Sequence, residues 1–207
     1  MRLPYPRHVL MVALVAVALA ACGNKNGGAV TSDDMSMGPA NAKVTVVEYA
    51  SVACPFCANF NNTVFPAFKA KYIDTGKIHY VFREMLVGND AEVTTAAAGF
   101  LLARCAGREK YFTVVDTIFH DQEQMAQSGD VRGTLLRIAQ STGMNEQQFN
   151  TCINDEQALK ALNDRVQTYS TRDNIESTPT FVINGKKMDG AATLANLDAA
   201  IAAAQAK

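Results

Sequence analysis

The sequence predicts an α/β fold in which a parallel sheet is joined to a long helical insertion. Residues 43–50 (KVTVVEYA) and 77–82 (KIHYVF) are rich in β-branched and aromatic residues and predict two buried strands. Residues 54–72, between them, place large apolar side chains at helical spacing. This strand-helix-strand order favours a parallel pair of strands with a right-handed crossover, which is typical of the α/β class.

The insertion is predicted from a stretch without strand character at about residues 90–174. Its apolar residues recur at the spacing of amphipathic helices in five segments: 91–106, 109–122, 131–141, 146–153 and 156–172. We therefore expect a helical domain between two parts of the chain that form the sheet.

Strand character returns after the insertion. Residues 180–183 (TFVI) predict a strand, the Asn-Gly pair at 184–185 is a strong signal for a hairpin turn, and residues 186–188 predict the partner strand. Residues 194–204 predict a closing helix. The folded domain is accordingly expected to span residues 43–207.

The N-terminus has the pattern of an export signal. Residues 1–21 place two arginines ahead of an apolar run, residues 9–21, that is too short to span a bilayer. The run ends in LAACG, which resembles the bacterial lipobox and implies cleavage before Cys22 and acylation of that cysteine. An ordinary signal peptide with an incidental cysteine is the alternative.

The following residues predict how the domain is attached. Residues 22–42 are mostly small and polar, and they predict a lipid anchor followed by a flexible tether. The chain is therefore expected to be exported and anchored by lipid to a bacterial membrane, facing the periplasm or the extracellular side.

Composition and cysteine count limit the classes of partner and chemistry that the chain is expected to have. The chain is 48% hydrophobic and 19% charged, with a net charge of −1, as is usual for a folded protein. It has no basic stripe or tail, so nucleic acid is not expected as a partner. With Cys22 set aside, four cysteines remain, an even number in a chain predicted to enter an oxidising compartment.

Four cysteines allow three connectivities, and the close pair Cys54 and Cys57 is the natural one, which leaves Cys105 with Cys152. A Cys105–Cys152 bridge would clamp two helices of the insertion, and we interpret it as structural. A second redox pair is the alternative, although neither cysteine opens a predicted helix.

The Cys54-Pro55-Phe56-Cys57 motif lies between the first predicted strand and its helix. A helix N-terminus stabilises a thiolate, so Cys54 is the expected nucleophile and Cys57 the resolving thiol. No histidine follows Cys57, which excludes a haem-attachment motif, and no second C-x-x-C completes a zinc site. Neither a metal nor a bound cofactor is therefore expected.

Two sequence blocks resemble the DsbA-like branch of the thioredoxin superfamily, whose bacterial members exchange disulfides with other proteins: residues 46–57 (VVEYASVACPFC) and 177–185 (STPTFVING). The resemblance covers about residues 43–204. It implies a thioredoxin-like fold with an inserted helical domain, and a cis peptide bond before Pro179. The cis form has a small free-energy cost only in X-Pro bonds. A trans proline that starts an edge strand is the alternative.

The predicted catalytic set comprises Glu48, Cys54, Pro55, Phe56, Cys57, Thr178 and Pro179. Strand alternation puts Glu48 on the same face as Val44 and Val46, which favours burial over a solvent-facing position. A buried acid at this position matches the family pattern and could accept or supply the proton of Cys57.

Phe56 departs from the resemblance, because the strongly oxidising family members carry histidine at this position. A phenyl ring cannot donate a hydrogen bond to the thiolate, so we expect a weaker oxidant. Thr178 also occurs in isomerase and reductase relatives of the family, which leaves the direction of exchange open.

The resulting hypothesis is an extracytoplasmic thiol:disulfide oxidoreductase in oxidative protein folding. The alternatives are a disulfide reductase or isomerase, a peroxide-reducing enzyme, and a binding or chaperone lipoprotein whose disulfides are only structural. Expected partners are protein thiols and disulfides, a redox protein that resets the Cys54–Cys57 pair, and the membrane. A monomer is expected, because a tether of roughly 20 residues is too short for a dimerisation domain.

Overall fold

The computed structural model describes residues 29–206. These residues form a sheet of five strands: β1 (Met35–Met37), β2 (Val44–Ala50), β3 (Ile78–Glu84), β4 (Thr180–Ile183) and β5 (Lys186–Lys187). Their spatial order is β1-β3-β2-β4-β5. Strands β2 and β3 are parallel, as the strand-helix-strand order predicts, and the other pairs are antiparallel. The α/β class is thereby confirmed.

The helix that connects β2 to β3 is interrupted, although the spacing predicted one continuous helix. Helix α1 (Pro55–Thr63) is followed by the short helix α2 (Phe65–Phe68) and by a π-helical turn at Lys69–Ile73. Pro66 explains the interruption, because proline has no N–H to donate and its ring crowds the preceding turn.

Five helices lie between β3 and β4 in the described part of the chain: α3 (Asp90–Cys105), α4 (Arg108–Ser128), α5 (Val131–Ser141), α6 (Glu146–Ile153) and α7 (Glu156–Arg172). Asn89 and Glu92 form a capping box at the start of α3, and Asn145 and Gln148 form another at the start of α6. A last helix, α8 (Leu194–Gln205), follows the β4–β5 hairpin. The helical domain is thus inserted within the sheet-forming part of the sequence.

The folded unit begins before residue 43, so the prediction of a flexible tether through residue 42 is wrong from Asp34 onward. Strand β1 pairs with the outer edge of β3, and the Met35 side chain is buried. The Asp34 carboxylate accepts a hydrogen bond from Arg83 Nε at 3.0 Å, with both side chains buried. The polar composition of this segment suggested a tether. The prediction failed because Arg83, the cation that binds Asp34, lies 49 positions away in the sequence.

The predicted signal peptide (residues 1–21) and the predicted acylation site Cys22 lie outside the described residues. Across residues 29–206, no helix has the length and apolar character needed to cross a bilayer.

Both faces of the sheet are covered. Val44 and Val46 face the main core, which includes Phe60 and Phe100, whereas Val47 and Tyr49 face a smaller cluster that includes Tyr169. Alternation along β2 therefore directs Glu48 towards the main core, and its side chain is only 2% exposed.

Candidate active site

The fold places the C-x-x-C motif at the start of α1, directly after the loop that leaves β2. Cys54 is the N-cap residue, with extended backbone angles, and Pro55 occupies the first turn of α1. Proline is well suited to this position, since its fixed φ matches the helix and its missing N–H would have no helical partner. The amide N–H of Cys57 donates to the Cys54 carbonyl at 3.1 Å. The positive end of α1 consequently adjoins the Cys54 thiol.

The Cys54 thiol is strongly acidified. Its pKa is lowered to about 5, first by a hydrogen bond from the Cys57 thiol, then by the Thr178 side chain and by the backbone N–H groups of Cys57 and Phe56. Cys54 is only 9% exposed, and this burial moves the pKa upward, but the hydrogen bonds outweigh it. Cys54 is therefore a thiolate at neutral pH, the form that attacks disulfides.

The Cys57 thiol behaves in the opposite way. Its side chain is 0% exposed, and burial together with the neighbouring Cys54 raises its pKa far above the ordinary value. Neither cysteine is part of a disulfide in this structure. The pair therefore combines a nucleophilic thiolate with a protonated thiol that supports it.

Glu48 lies beneath this pair. Burial raises the pKa of the carboxyl to about 8, although the Tyr80 hydroxyl, which donates to Glu48 Oε2 at 2.6 Å, moves the pKa downward. Negative charge on Glu48 also contributes to the raised pKa of Cys57. A carboxyl with a pKa near neutrality can exchange a proton under physiological conditions.

The loop before β4 meets the motif from the other side. The Thr178-Pro179 peptide bond is cis, and Cys54 Sγ lies 3.5 Å from the carbonyl oxygen of Thr178. Apart from its interaction with the Cys54 sulfur, the buried Thr178 Oγ1 has no hydrogen-bond partner within residues 29–206. Residues 124 positions apart in sequence are thus brought together.

Phe56 is exposed at the rim of the site. Its side chain is 75% accessible to solvent, which makes it the most exposed large apolar residue of residues 29–206. Pro55 beside it is also exposed. The surface next to the acidified thiolate is accordingly apolar.

Cys105 and Cys152 form a disulfide with a Cα–Cα distance of 6.2 Å. Cys105 is the last residue of α3 and Cys152 lies near the end of α6, so the bridge ties two helices of the insertion together. Cys152 is buried, whereas Cys105 is exposed.

Two residues at the site were missed by the sequence reasoning. Tyr80 could have been found, because alternation in β3 directs it to the same core as Ile78 and Phe82. Gln122 could not, since it lies in the insertion, 68 residues from the motif. Its Nε2 group donates to the carbonyls of Val52 and Cys54 at 2.7 and 3.2 Å, and it thereby holds α4 against the motif.

The sequence of this chain matches a known protein family. Residues 30–203 match the family described as thioredoxin. A Rickettsia bellii protein named as a protein-disulfide oxidoreductase is 33% identical over 158 residues, which cover 75% of this chain and 59% of that protein. This chain spans 55 to 59% of the length of the Rickettsia relatives it matches.

Solved structures agree with this assignment. The crystal structure of Wolbachia pipientis alpha-DsbA1 superposes with a TM-score of 0.76 at 27% identity, covering 86% of this chain and 93% of that one. Oxidised BdbD from Bacillus subtilis shares the fold, with a TM-score of 0.73 at 21% identity, covering 84% of this chain and 94% of that one. The chain therefore belongs to the thioredoxin family, and its fold is that of the DsbA-like proteins.

Proposed function

We propose that this chain is a thiol:disulfide oxidoreductase that exchanges disulfides with protein substrates through Cys54 and Cys57. The observation that carries the proposal is the opposite acidity of the two thiols, with Cys54 ionised at the start of α1 and Cys57 buried and protonated. The names of the Rickettsia relatives support the same activity.

The oxidising reaction proceeds in two displacements. A substrate thiolate attacks Cys54 Sγ of the Cys54–Cys57 disulfide, which forms a mixed disulfide and releases Cys57 as a thiolate that takes up a proton. A second substrate thiolate then attacks the substrate sulfur of the mixed disulfide and releases the Cys54 thiolate. The substrate gains one disulfide, and the enzyme pair is reduced by two electrons. A separate redox protein must reoxidise the pair before the next cycle.

Glu48, Thr178 and Pro179 assist this exchange. We assign Glu48 the proton exchanged with Cys57, because its pKa of about 8 allows both protonation states near neutral pH. The cis bond at Pro179 directs the main chain of the loop towards Cys54, where an extended substrate segment can pair with its backbone groups. Pro55 fixes the first turn of α1, from which the Cys54 thiolate gains its stability.

A redox titration tests the proposed function. Equilibration of the complete chain with glutathione buffers should give a Cys54–Cys57 potential above about −300 mV, the level below which structural disulfides lie. A lower potential would instead support a binding or chaperone protein with a structural bridge. Parallel assays of insulin reduction and of refolding of a reduced protein then assign the direction, and turnover with peroxide alone would favour a peroxide-reducing enzyme.

Phe56 should set the oxidising strength. We predict that Phe56→His adds a donor to the Cys54 thiolate, stabilises the reduced form and makes the potential more oxidising by about 30 mV or more, which is roughly 1.4 kcal/mol. The glutathione titration measures this shift, and Phe56→Leu, which adds no donor, serves as the control. An unchanged or more reducing potential in Phe56→His would show that this position does not tune the pair.

The Cys105–Cys152 bridge is proposed to be structural. In the chain-entropy account, a bridge across 47 residues stabilises the fold by up to about 4 kcal/mol. We expect the double variant Cys105→Ala/Cys152→Ala to lose up to this amount in denaturant unfolding while the Cys54–Cys57 potential stays the same. A changed potential would support the alternative of a second redox pair.

We also propose that the chain is an exported monomer anchored through lipid on Cys22, a residue outside the described part of the chain. Cys22→Ala should move the protein from the membrane to the soluble fraction, because the variant lacks the sulfur that would carry the acyl chains. Fractionation and immunoblotting measure the change, with Cys105→Ala/Cys152→Ala as a control for loss of a cysteine. Continued membrane association of Cys22→Ala would contradict the lipid anchor.

A further inference from the structure

A groove of about 740 Å³ begins at the C-x-x-C motif and runs between α1 and the C-terminal half of α4. Ala53 and Pro55 line the end next to the motif, and Asn62 lines the groove further along α1. We call this feature the α1–α4 groove. Because it starts beside Cys54, a polypeptide whose cysteine reacts there can continue into it without leaving the surface.

The floor of the α1–α4 groove is apolar and its rim is acidic. Ala58, Phe119 and Met125 supply buried apolar surface. Glu92 and Glu123 are its carboxylates, and no lysine or arginine is among its lining residues within the described part of the chain. Hydrogen bonds from the Asn89 amide to Glu92 and from Gln127 to Glu123 orient both carboxylates.

One imidazole also belongs to this surface. His120 also lines the groove, and its Nε2 lies 3.7 Å from the carboxylate of Asp116 on the preceding turn of α4. Among the residues that line the groove, the two carboxylates of Glu92 and Glu123 thus outnumber the one imidazole, that of His120. A segment with basic side chains complements this charge, whereas an acidic segment is repelled.

The α1–α4 groove is distinct from the contact made by the cis-proline loop, since neither Thr178 nor Pro179 lines it. The two features therefore have different tasks: the loop offers backbone groups, whereas the groove offers an apolar floor and negative charge. The exposed ring of Phe56 extends the apolar surface at the rim of the site.

We propose that the α1–α4 groove holds the substrate segment that flanks the reacting cysteine, and that it selects segments combining apolar with lysine or arginine side chains. The inference rests on the proposed function and adds a substrate class to it. Clefts lined by one sign of charge raise the association rate of oppositely charged partners by about tenfold or more, and salt screens this effect.

Matched peptides test the proposal. Each peptide carries one cysteine as a mixed disulfide with 2-mercaptoethanol, and the set differs only in whether lysine, glutamate or serine flanks an apolar residue near that cysteine. The reduced complete chain is mixed with each peptide under single-turnover conditions. Two enzyme thiols are oxidised to the Cys54–Cys57 disulfide, while one peptide thiol and one mercaptoethanol are released, and chromatography measures the peptide thiol.

We expect the lysine peptide to react about tenfold faster than the glutamate peptide at low ionic strength, with the ratio falling as salt is added. The variant Glu92→Gln/Glu123→Gln should bring the ratio below about twofold, because glutamine keeps the capping hydrogen bond and removes the charge. The control Glu109→Gln/Glu156→Gln removes two exposed carboxylates elsewhere and should keep the wild-type ratio.

Bis(2-hydroxyethyl) disulfide, which is small and neutral, separates the possible failures. If wild-type protein reduces it but treats the peptides alike, or if the control variant changes the ratio as much as Glu92→Gln/Glu123→Gln does, the groove does not select substrates. If wild-type protein reduces neither this compound nor any peptide, the proposed function is overturned and the groove proposal falls with it.

Discussion

In the reduced protein, iodoacetamide at pH 6 should alkylate Cys54 at least about 100-fold faster than Cys57. The reactive form is the thiolate, and Cys54, with a pKa of about 5, is mostly ionised at this pH. Cys57 is fully buried and its pKa is raised, so it offers neither charge nor access. Peptide mapping by mass spectrometry after short exposure identifies the labelled cysteine.

The pH dependence of this reaction gives an independent measurement of the same property. The alkylation rate of Cys54 should rise with a midpoint at about pH 5 and stay nearly constant from about pH 6.5 to pH 8, because the thiolate fraction is nearly complete in that range. An ordinary cysteine would show its rise at about pH 8.5. Preferential labelling of Cys57, or a rise centred above pH 8, would reverse the assigned roles.

Replacing Glu48 by glutamine should stabilise the fold, and increasingly so as the pH rises. The carboxyl has a folded pKa of about 8 against an ordinary value of 4.5, so the folded state holds its proton more tightly than the unfolded chain. Stability from this group is fully present below pH 4.5 and is lost as the pH rises towards 8. By this linkage, the loss reaches about 5 kcal/mol at alkaline pH.

Denaturant unfolding of the reduced protein between pH 4.5 and 8.5 measures this effect as the difference between wild type and Glu48→Gln. Glutamine retains an oxygen that can accept the Tyr80 hydroxyl, so the variant removes the ionisable group and little else. Glu109→Gln, at an exposed position on α4, is the control and should follow the wild-type profile. Parallel profiles for wild type and Glu48→Gln would mean that the folded protein does not raise the pKa of the Glu48 carboxyl.

Local signals were sufficient to predict the strand-helix-strand unit around the site and the position of the motif. The β-branched strands, the helix after Cys54 and the Asn-Gly turn at 184–185 are each encoded by residues within a few positions of one another. Alternation along β2 likewise predicted the burial of Glu48, because a strand fixes which side chains share a face. Pro66 was also a local signal, but the helical spacing of the apolar residues led to the prediction of one continuous helix. In the structure the helix is interrupted after α1.

Other features depend on contacts between distant parts of the chain. The Asp34–Arg83 pair incorporates a polar segment into the fold, and Gln122 reaches back to the motif from the insertion. Likewise, the α1–α4 groove is formed only when α4 packs beside α1. No pattern within a segment reports such neighbours, because the partners are set by how the helices and strands pack.

From the amino-acid sequence alone one could therefore predict the fold class, Cys54 and Cys57 as the candidate redox pair, and a buried acid on β2. The acidity of each thiol depends on the tertiary structure, since the low pKa of Cys54 arises first from the hydrogen bond with Cys57 and the high pKa of Cys57 arises first from burial. The tertiary structure also decided where the folded unit begins and which surface adjoins the thiolate. The physical reason is that desolvation and hydrogen bonding depend on distances in space, which a linear pattern does not contain.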